Sequence, residues 1–389
     1  MAFNRQKTDE LSTHRDRDAT PFFAGRVDEI DQFDRALTEL GSQPGEQAVF
    51  RIYQGAPGCG KTALLHHLRE NRADGVVFVS VQERHLSSET ALMERVRQVA
   101  IEEGPIGKRI VARAVRTLGS RFRVGETAEA LSDAIADGAT DRIVLYMDEA
   151  QSVGPPERPG LAALHRDGIG IPTVCLFTGL GHTANRFRQI EGLSRLAANA
   201  IVNMGAMAEQ ECAESTGKML GTLGANGDRE QAAQAVAKLS LGWPQHLKGA
   251  QTALCRELLR TDGDLSEIDY ARVRSESDRN RHGYYNARLS ASVLGIHRPF
   301  TATVVATVQR QQPVDPGDLV GLCEKRLAGL QGAYPGLKSA TGEEFANALV
   351  ERGVLSPRAD ERYEVAIPSM AEWLAGLVPR RPTESGGRG

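Results

Sequence analysis

Residues 55–62 of the chain read GAPGCGKT and match the phosphate-binding loop pattern G-x-x-x-x-G-K-[ST] at every fixed position. The three glycines let the backbone curl, so that successive N–H groups face the oxygens of a nucleoside triphosphate. Lys61 brings a positive charge to the β- and γ-phosphates, and the Thr62 hydroxyl is a ligand for Mg²⁺. The loop therefore predicts a site for ATP and Mg²⁺.

The sequence on both sides of the loop supplies the elements that this motif needs. The preceding run AVFRIYQ, residues 48–54, is β-branched and aromatic like a buried strand, and Leu64, Leu65 and Leu68 follow at helical spacing. A helix that begins here turns the positive end of its dipole toward the phosphates. The alternative is a chance glycine-rich turn beside a lysine. The predicted nucleotide contacts are Gly55, Ala56, Pro57, Gly58, Cys59, Gly60, Lys61, Thr62 and Ala63.

A second motif, IVLYMDEA at residues 143–150, is an apolar run that ends in Asp148 and Glu149. This is the Walker B pattern, and a parallel strand delivers its last residues to the carboxyl edge of the sheet, where such folds bind ligands. Asp148 is predicted to hold Mg²⁺ or its water shell, and Glu149 to orient and polarise the attacking water. With GVVFVSV at residues 75–81 as a further buried strand, the pattern predicts an α/β fold with a doubly wound parallel sheet.

Length and composition indicate a globular protein of two or three domains, with 389 residues of which 41% are hydrophobic and 25% charged. The formal net charge of −3 argues against a protein that coats nucleic acid non-specifically. We interpret the basic run at residues 108–126 as a solvated helical face in preference to a nucleic-acid patch. The five scattered cysteines form no C-x-x-C pair, which disfavours a disulfide framework and a zinc site. Without a secretory signal or a membrane span, we expect a cytoplasmic protein with no membrane partner.

Taken together, these motifs resemble those of the AAA+ and STAND P-loop ATPases of the origin-recognition-like branch, over residues 22–380. The entry segment of that family carries a "GR" pair before an acidic helix, so the resemblance implies that Gly25 and Arg26 flank the adenine. The alternative is an ordinary arginine on a surface helix. The family also ends the strand after Walker B in a polar "sensor 1" residue that contacts the γ-phosphate or the attacking water. The resemblance implies this catalytic role for Thr178, at the end of PTVCLFTGL, and the alternative is a threonine that merely ends a strand.

Two arginines of the family are relevant here: one has a match in this sequence and the other does not. The family has a Ser-Arg pair before its last core strand, matched here in GLSRLAANAIVNMGAM, and this implies that Arg195 is an arginine finger for a neighbouring subunit of a homo-oligomer. Arg186 and Arg188 are rivals, and a salt-bridged surface arginine is the alternative. The family often has a "sensor 2" arginine near the turn that opens the last lid helix, but Gln245 and His246 occupy that place. This departure puts nucleotide-driven lid closure in doubt.

The C-terminal part of the chain predicts three helices followed by a hairpin, a pattern similar to that of a winged helix. Arg358 and Arg362 on the predicted wing, with Lys338 and Arg352 nearby, are candidates for contacts with the phosphates of double-stranded DNA. Acidic residues dilute this charge, so a winged helix that binds a protein is the alternative.

The predicted organisation is a flexible N-terminal tail (1–21), an AAA+ nucleotide-binding core (22–206), a helical lid (207–262), a linker helix with a winged-helix domain (263–380) and a disordered tail (381–389). The first functional hypothesis is an ATPase that couples its nucleotide state to DNA binding or to assembly on DNA. The second is a STAND-like nucleotide-gated switch or scaffold that binds a protein partner. A third is an adaptor for an effector protein encoded elsewhere.

Overall fold

Five strands form a parallel sheet in the computed structural model of the chain. They are β1 (Val49–Gln54), β2 (Val76–Ser80), β3 (Arg142–Met147), β4 (Thr173–Gly179) and β5 (Ile201–Asn203), in the spatial order β2-β3-β4-β1-β5. Every neighbouring pair is parallel. Strand β4 is buried along its whole length, as expected for a strand that is covered on both faces. The predicted α/β fold with a parallel sheet is confirmed, and the last residues of β1, β3 and β4 share one edge.

The structure describes residues 2–13, 22–42, 48–71, 75–102, 142–153, 159–167, 172–194, 196, 198–290, 292–311, 313–332, 334–358, 360 and 362–377. Three sequence predictions lie outside these residues: the basic run at 108–126, the arginine-finger candidate Arg195 and the C-terminal tail at 381–389.

The helices are α1 (Arg5–Thr13), α2 (Val27–Ser42), α3 (Lys61–Glu70), α4 (Glu89–Glu102), α5 (Pro159–Asp167), α6 (Thr183–Arg188), α7 (Glu209–Leu223), α8 (Arg229–Ser240), α9 (Pro244–Arg260), α10 (Tyr270–Ser290), α11 (Arg298–Gln311), α12 (Pro316–Leu327), α13 (Gly342–Glu351) and α14 (Pro368–Ala375). None of these described helices is both long enough and apolar enough to cross a membrane.

Internal contacts divide the chain into two units. The first, called the sheet unit, comprises Arg26–Gln54 and Lys61–Met204. The second, called the helical unit, comprises Met1–Gly25, Gly55–Gly60 and Gly205–Gly389. The helical unit thus includes residues 55–60 of the phosphate loop.

The sheet unit is held by an apolar core in which aromatic rings from strand and helix meet. Phe177 on β4 lies 4.8 Å from the ring of Phe187 and 5.9 Å from that of Phe50. Helix α2 joins this unit through the buried Tyr53, whose hydroxyl donates to the carbonyl of Glu29 at 2.8 Å. These contacts fix β1, the strand that precedes the phosphate loop.

In the helical unit, α7, α8 and α9 pack around a core rich in alanine and leucine. Local sequence sets their ends. The Asp228 side chain caps α8 by accepting from the Gln231 N–H at 2.9 Å. As predicted from the turn sequence, Pro244 occupies the first turn of α9, where a missing N–H has no cost.

The structure differs from the predicted flexible tail at residues 5–13, which form helix α1. The N–H of Asn4 donates to the Leu223 carbonyl at 2.8 Å, and the Arg256 guanidinium donates to the Ser12 carbonyl at 3.1 Å. The N-terminal segment is therefore ordered by lid residues far away in the sequence, which no local pattern reveals.

The long helix α10 leads to the C-terminal module, where α11, α12 and α13 precede a two-stranded antiparallel hairpin of β6 (Leu355–Pro357) and β7 (Tyr363–Val365). Phe300 of α11 and Phe345 of α13 meet in its core, with ring centroids 4.5 Å apart. Helix α14 closes the module and packs on α11. The predicted order of three helices and a hairpin is the observed one.

Candidate nucleotide-binding site

The phosphate loop turns back on itself through a backbone hydrogen bond. The N–H of Cys59 donates to the carbonyl of Ala56 at 3.3 Å. Gly58 and Gly60 have φ angles of +78° and +96°, in the left-handed region that glycine adopts without steric cost. This conformation explains why the motif places glycine at both positions. The Cys59 side chain is fully buried, consistent with a small packing residue.

Helix α3 begins at Lys61, directly after the loop. Leu64, Leu65 and Leu68 are buried along one face, which anchors the helix in the sheet unit. Lys61 is only 7% exposed, whereas Thr62 is exposed at the N-terminal end of the helix. Lys61 is thus the first residue of α3, so its ammonium group and the positive end of the helix dipole are close together. This arrangement favours the binding of an anion such as phosphate.

Three oxygen-bearing side chains of the sheet unit meet at the carboxyl edge. The Thr62 hydroxyl donates to Asp148 Oδ2 at 2.7 Å, and the Thr178 hydroxyl donates to the other carboxylate oxygen, Oδ1. The backbone N–H of Glu149 also donates to Oδ1, at 2.9 Å. Hydroxyl and carboxylate oxygens are the ligands that Mg²⁺ prefers, so Thr62 and Asp148 fit the predicted metal. Thr178 acts here by orienting Asp148.

Glu149 has a left-handed backbone, with φ 55° and ψ 38°. Such a conformation is uncommon for a side-chain-bearing residue and is concentrated at functional sites. Its carboxylate is exposed and accepts a hydrogen bond from Gln151 Nε2. Gln151 Oε1 in turn accepts from the Leu180 N–H at 3.1 Å, beyond the end of β4. Sequence reasoning missed Gln151, although its position two residues after Glu149 was visible.

Gly25 and Arg26 both have positive φ angles, 68° and 60°. A Cβ atom at Gly25 would lie 2.3 Å from Glu211 Oε1, so only glycine fits there. Arg26 is buried and forms an ion pair with Glu29 at 2.8 Å. The role of Gly25 and Arg26 beside the adenine stays a prediction, and the left-handed pair marks a constrained turn before α2.

The rival arginine-finger candidates lie on α6. Arg186 donates to the carbonyl of Gln151 at 2.5 Å, which ties α6 to the Walker B turn. Arg188 lies in the last turn of the same helix. With its guanidinium directed at Gln151, Arg186 serves the local structure of the sheet unit.

The start of α9 contacts the phosphate loop within the helical unit. The N–H of Gln245 donates to the Gly58 carbonyl at 3.1 Å. The neighbouring His246 is buried, and this burial is the main cause that lowers its pKa to about 4, with a further contribution from Arg281. The start of α9 therefore presents a backbone amide to the loop, and the next residue carries a neutral imidazole.

A scan against protein-family models and a search of curated proteins found no match. Solved structures do match. The Walker-type ATPase of Pyrococcus abyssi has a TM-score of 0.51 at 16% identity, over 90% of this chain and 96% of that protein. The ORC2 protein of Aeropyrum pernix in its ADP form has a TM-score of 0.50 at 14% identity, over 92% of this chain and 97% of that protein. The chain therefore shares the α/β P-loop fold of these solved structures, with the phosphate loop after β1 and the acidic pair after β3.

Proposed function

We propose that this chain binds ATP and Mg²⁺ through the phosphate loop and the Walker B acids, hydrolyses ATP, and couples its nucleotide state to DNA binding. The observation that carries the proposal is the hydrogen-bonded group of Thr62, Asp148 and Thr178, which joins the first turn of α3 to the ends of two strands. Stability of the fold alone does not explain why a carboxylate and two hydroxyls lie together at this edge of the sheet.

Each residue has a distinct role in the proposed reaction. Lys61 neutralises the β- and γ-phosphate oxygens, while Thr62 and Asp148 hold Mg²⁺. When bound, Mg²⁺ withdraws charge from the phosphate oxygens. Glu149 orients the water that attacks the terminal phosphorus and takes its proton, and ADP leaves as the phosphorus–oxygen bond breaks. Gln151 holds the Glu149 carboxylate in place during this step.

The test of nucleotide binding is calorimetric titration of Lys61→Ala with ATP. We expect tight binding to be lost, because Lys61 supplies the charge at the phosphates. Lys238→Ala is the matched control, since Lys238 is an exposed lysine on lid helix α8. ATP binding by Lys61→Ala at wild-type affinity would refute the site.

The C-terminal module supports the proposal of DNA coupling, because helices α11, α12 and α13 followed by a hairpin have the order of a winged helix. Its proposed wing carries Arg358 and Arg362, which are both partly exposed. Replacing both by glutamate should weaken binding to duplex DNA and flatten its salt dependence. If the salt dependence of DNA binding is the same in the variant and the wild type, the hairpin is not part of the DNA interface.

The pairing of these arginines favours a second candidate function, a nucleotide-gated switch with a protein partner. Arg358 contacts Glu364 at 3.1 Å, and Arg362 contacts Asp360 at 2.7 Å. The carboxylates cancel much of the positive charge that phosphates require. A surface of paired charges suits a protein partner better than a polyanion.

Steady-state ATP hydrolysis with and without duplex DNA decides between the two functions. Glu149→Gln serves as the blank, because it keeps the size of the side chain and removes the base. Turnover that rises with DNA and is lost in the variant supports a DNA-coupled ATPase. Tight ATP binding with negligible turnover in both conditions supports the switch.

The proposed homo-oligomer is tested through Arg195, the predicted arginine finger. Arg195→Ala should lower turnover only at concentrations where the protein self-associates, because a finger acts on the neighbouring subunit. Sedimentation under the assay conditions gives the oligomeric state. An equal loss of turnover in a proven monomer would contradict a finger in trans.

A further inference from the structure

The outer face of the phosphate loop is covered by three elements of the helical unit. The start of α9 reaches it through Gln245, and the middle of α10 reaches it through Tyr284. The third element is the turn after α13, where a Cβ atom at Gly353 would lie 2.2 Å from the Pro57 ring. The loop is therefore contacted by α9, by α10 and by the turn after α13.

Tyr284 makes the shortest of these contacts. Its hydroxyl donates to the carbonyl of Pro57 at 2.5 Å, and the two residues are 227 positions apart in the sequence. Burial raises the pKa of the Tyr284 phenol, so the hydroxyl keeps the proton that it donates. It thereby fixes the plane of the peptide group between Pro57 and Gly58.

Fixing this peptide plane determines the direction of a phosphate-binding group. The carbonyl of Pro57 and the N–H of Gly58 belong to one planar trans peptide and point in opposite directions. With the carbonyl bound to Tyr284, the Gly58 N–H faces away from α10. The hydrogen bond from Gln245 to the Gly58 carbonyl constrains the next peptide group in the same way. The N–H groups of such a loop are the ones that bind phosphate oxygens.

The backbone of the loop at Gly58 lies directly against two side chains of the helical unit. A Cβ atom at Gly58 would lie 2.8 Å from Gln245 Cβ and 3.0 Å from the Tyr284 hydroxyl. A change in the loop on binding of phosphates is thus transmitted to the side chains that touch it.

The residue after Tyr284 connects the same helix to the C-terminal helix α14. The Tyr285 hydroxyl lies 2.7 Å from the Ser369 hydroxyl, and its ring lies 5.4 Å from that of Trp373. The rings of Tyr284 and Tyr285 are 5.9 Å apart, and both contact the ring of His246. A continuous set of packed side chains therefore leads from the phosphate loop to α14.

We infer that Tyr284 is a positioning residue for the phosphate loop, and that Tyr285 and Ser369 transmit the nucleotide state of the loop to the C-terminal module. The inference rests on the proposed function, since it requires that ATP binds at this loop. It adds a path of side-chain contacts through which the nucleotide state affects the C-terminal module, the part of the chain that we propose to bind DNA or a protein.

The first experiment is titration of Tyr284→Phe with ATP, which removes one hydroxyl and keeps the ring. We expect affinity to fall by about threefold to tenfold, the usual effect of one lost hydrogen bond. Tyr270→Phe, a half-buried tyrosine on the same helix, is the matched control. The unfolding midpoints of both variants are measured without nucleotide, and titration at a temperature well below both midpoints separates loop positioning from general stability. Wild-type affinity in Tyr284→Phe would overturn the positioning role.

The second experiment follows α14 while ATP binds. The chain has two tryptophans, so Trp243→Phe leaves Trp373 as the only one and makes its fluorescence a probe of α14. ATP should change this emission, and Ser369→Ala should abolish the change while ATP affinity is retained. Hydrogen exchange of the α14 amides in the wild-type protein, with and without ATP, gives the same readout without substitution of the buried Trp243. Unchanged exchange at saturating ATP would overturn the transmission to α14.

The Lys61→Ala titration separates failure of this inference from failure of the proposed function. Undiminished ATP binding by Lys61→Ala overturns both, because the nucleotide then binds elsewhere. Loss of binding in Lys61→Ala, together with wild-type affinity in Tyr284→Phe and an unresponsive α14, leaves the ATP site intact and overturns only the present inference.

Discussion

Acidic pH is expected to destabilise the helical unit through His246. This side chain is 4% exposed, so a positive charge on its ring would be removed from solvent. Burial is the main cause that lowers its pKa from 6.5 to about 4, Arg281 adds to the decrease, and the backbone of Ser240 opposes it. The folded protein therefore keeps the imidazole neutral at pH values where the unfolded chain protonates it.

The sign and the size of the effect follow from these two pKa values. Above pH 6.5 His246 is neutral in both states and contributes no pH dependence. As pH falls from 6.5 toward 4, the unfolded state binds more protons and the free energy of unfolding decreases. Because one pKa unit corresponds to about 1.4 kcal/mol, the loss reaches about 2 kcal/mol at pH 5 and about 3 kcal/mol at pH 4.

Urea unfolding measures this loss directly. Trp243 and Trp373 both lie in the helical unit, so intrinsic fluorescence reports on the unfolding of this unit. The quantity of interest is the difference in unfolding free energy between wild type and His246→Gln, measured from pH 7.5 to pH 5. It should change by about 2 kcal/mol in favour of the variant as pH falls. His282→Gln, at an exposed histidine on α10, is the control, and a pH-independent difference for His246→Gln would refute the reasoning.

Three further outcomes are expected. Gln151→Ala should lower kcat about tenfold with little change in KM, because Glu149 loses its hydrogen-bond donor, and an unchanged kcat would contradict the role of Gln151. Asp228→Ala should reduce the stability of the lid by about 1 kcal/mol in urea unfolding, since the cap of α8 is lost. Leu254→Ala should cost about 2–5 kcal/mol in the same assay, as this side chain is fully buried in the lid core; a loss below 1 kcal/mol would show that the core collapses around the cavity.

The sequence was sufficient for features that local patterns encode. The run before the phosphate loop predicted β1, and the acidic strand end predicted the place of Asp148, because both depend on residues that are neighbours in the chain. Helix α1 was missed because its stability comes from the lid. Tyr284 was missed for the same reason, since it meets Pro57 from 227 residues away. Periodicity carries no information about such distant pairs.

The residue at the start of α9 determines how the helical unit contacts the phosphate loop. A side-chain cation at this point would recognise the charge of the terminal phosphate. Gln245 instead contacts the loop through its backbone N–H, a donor that every residue except proline carries. The contact between α9 and the loop therefore depends on the backbone conformation of the loop. The contact of Tyr284 with the Pro57 carbonyl depends on it in the same way. In this chain the helical unit is built to respond to the conformation of the phosphate loop, and the aromatic contacts along α10 give that response a path to the C-terminal module.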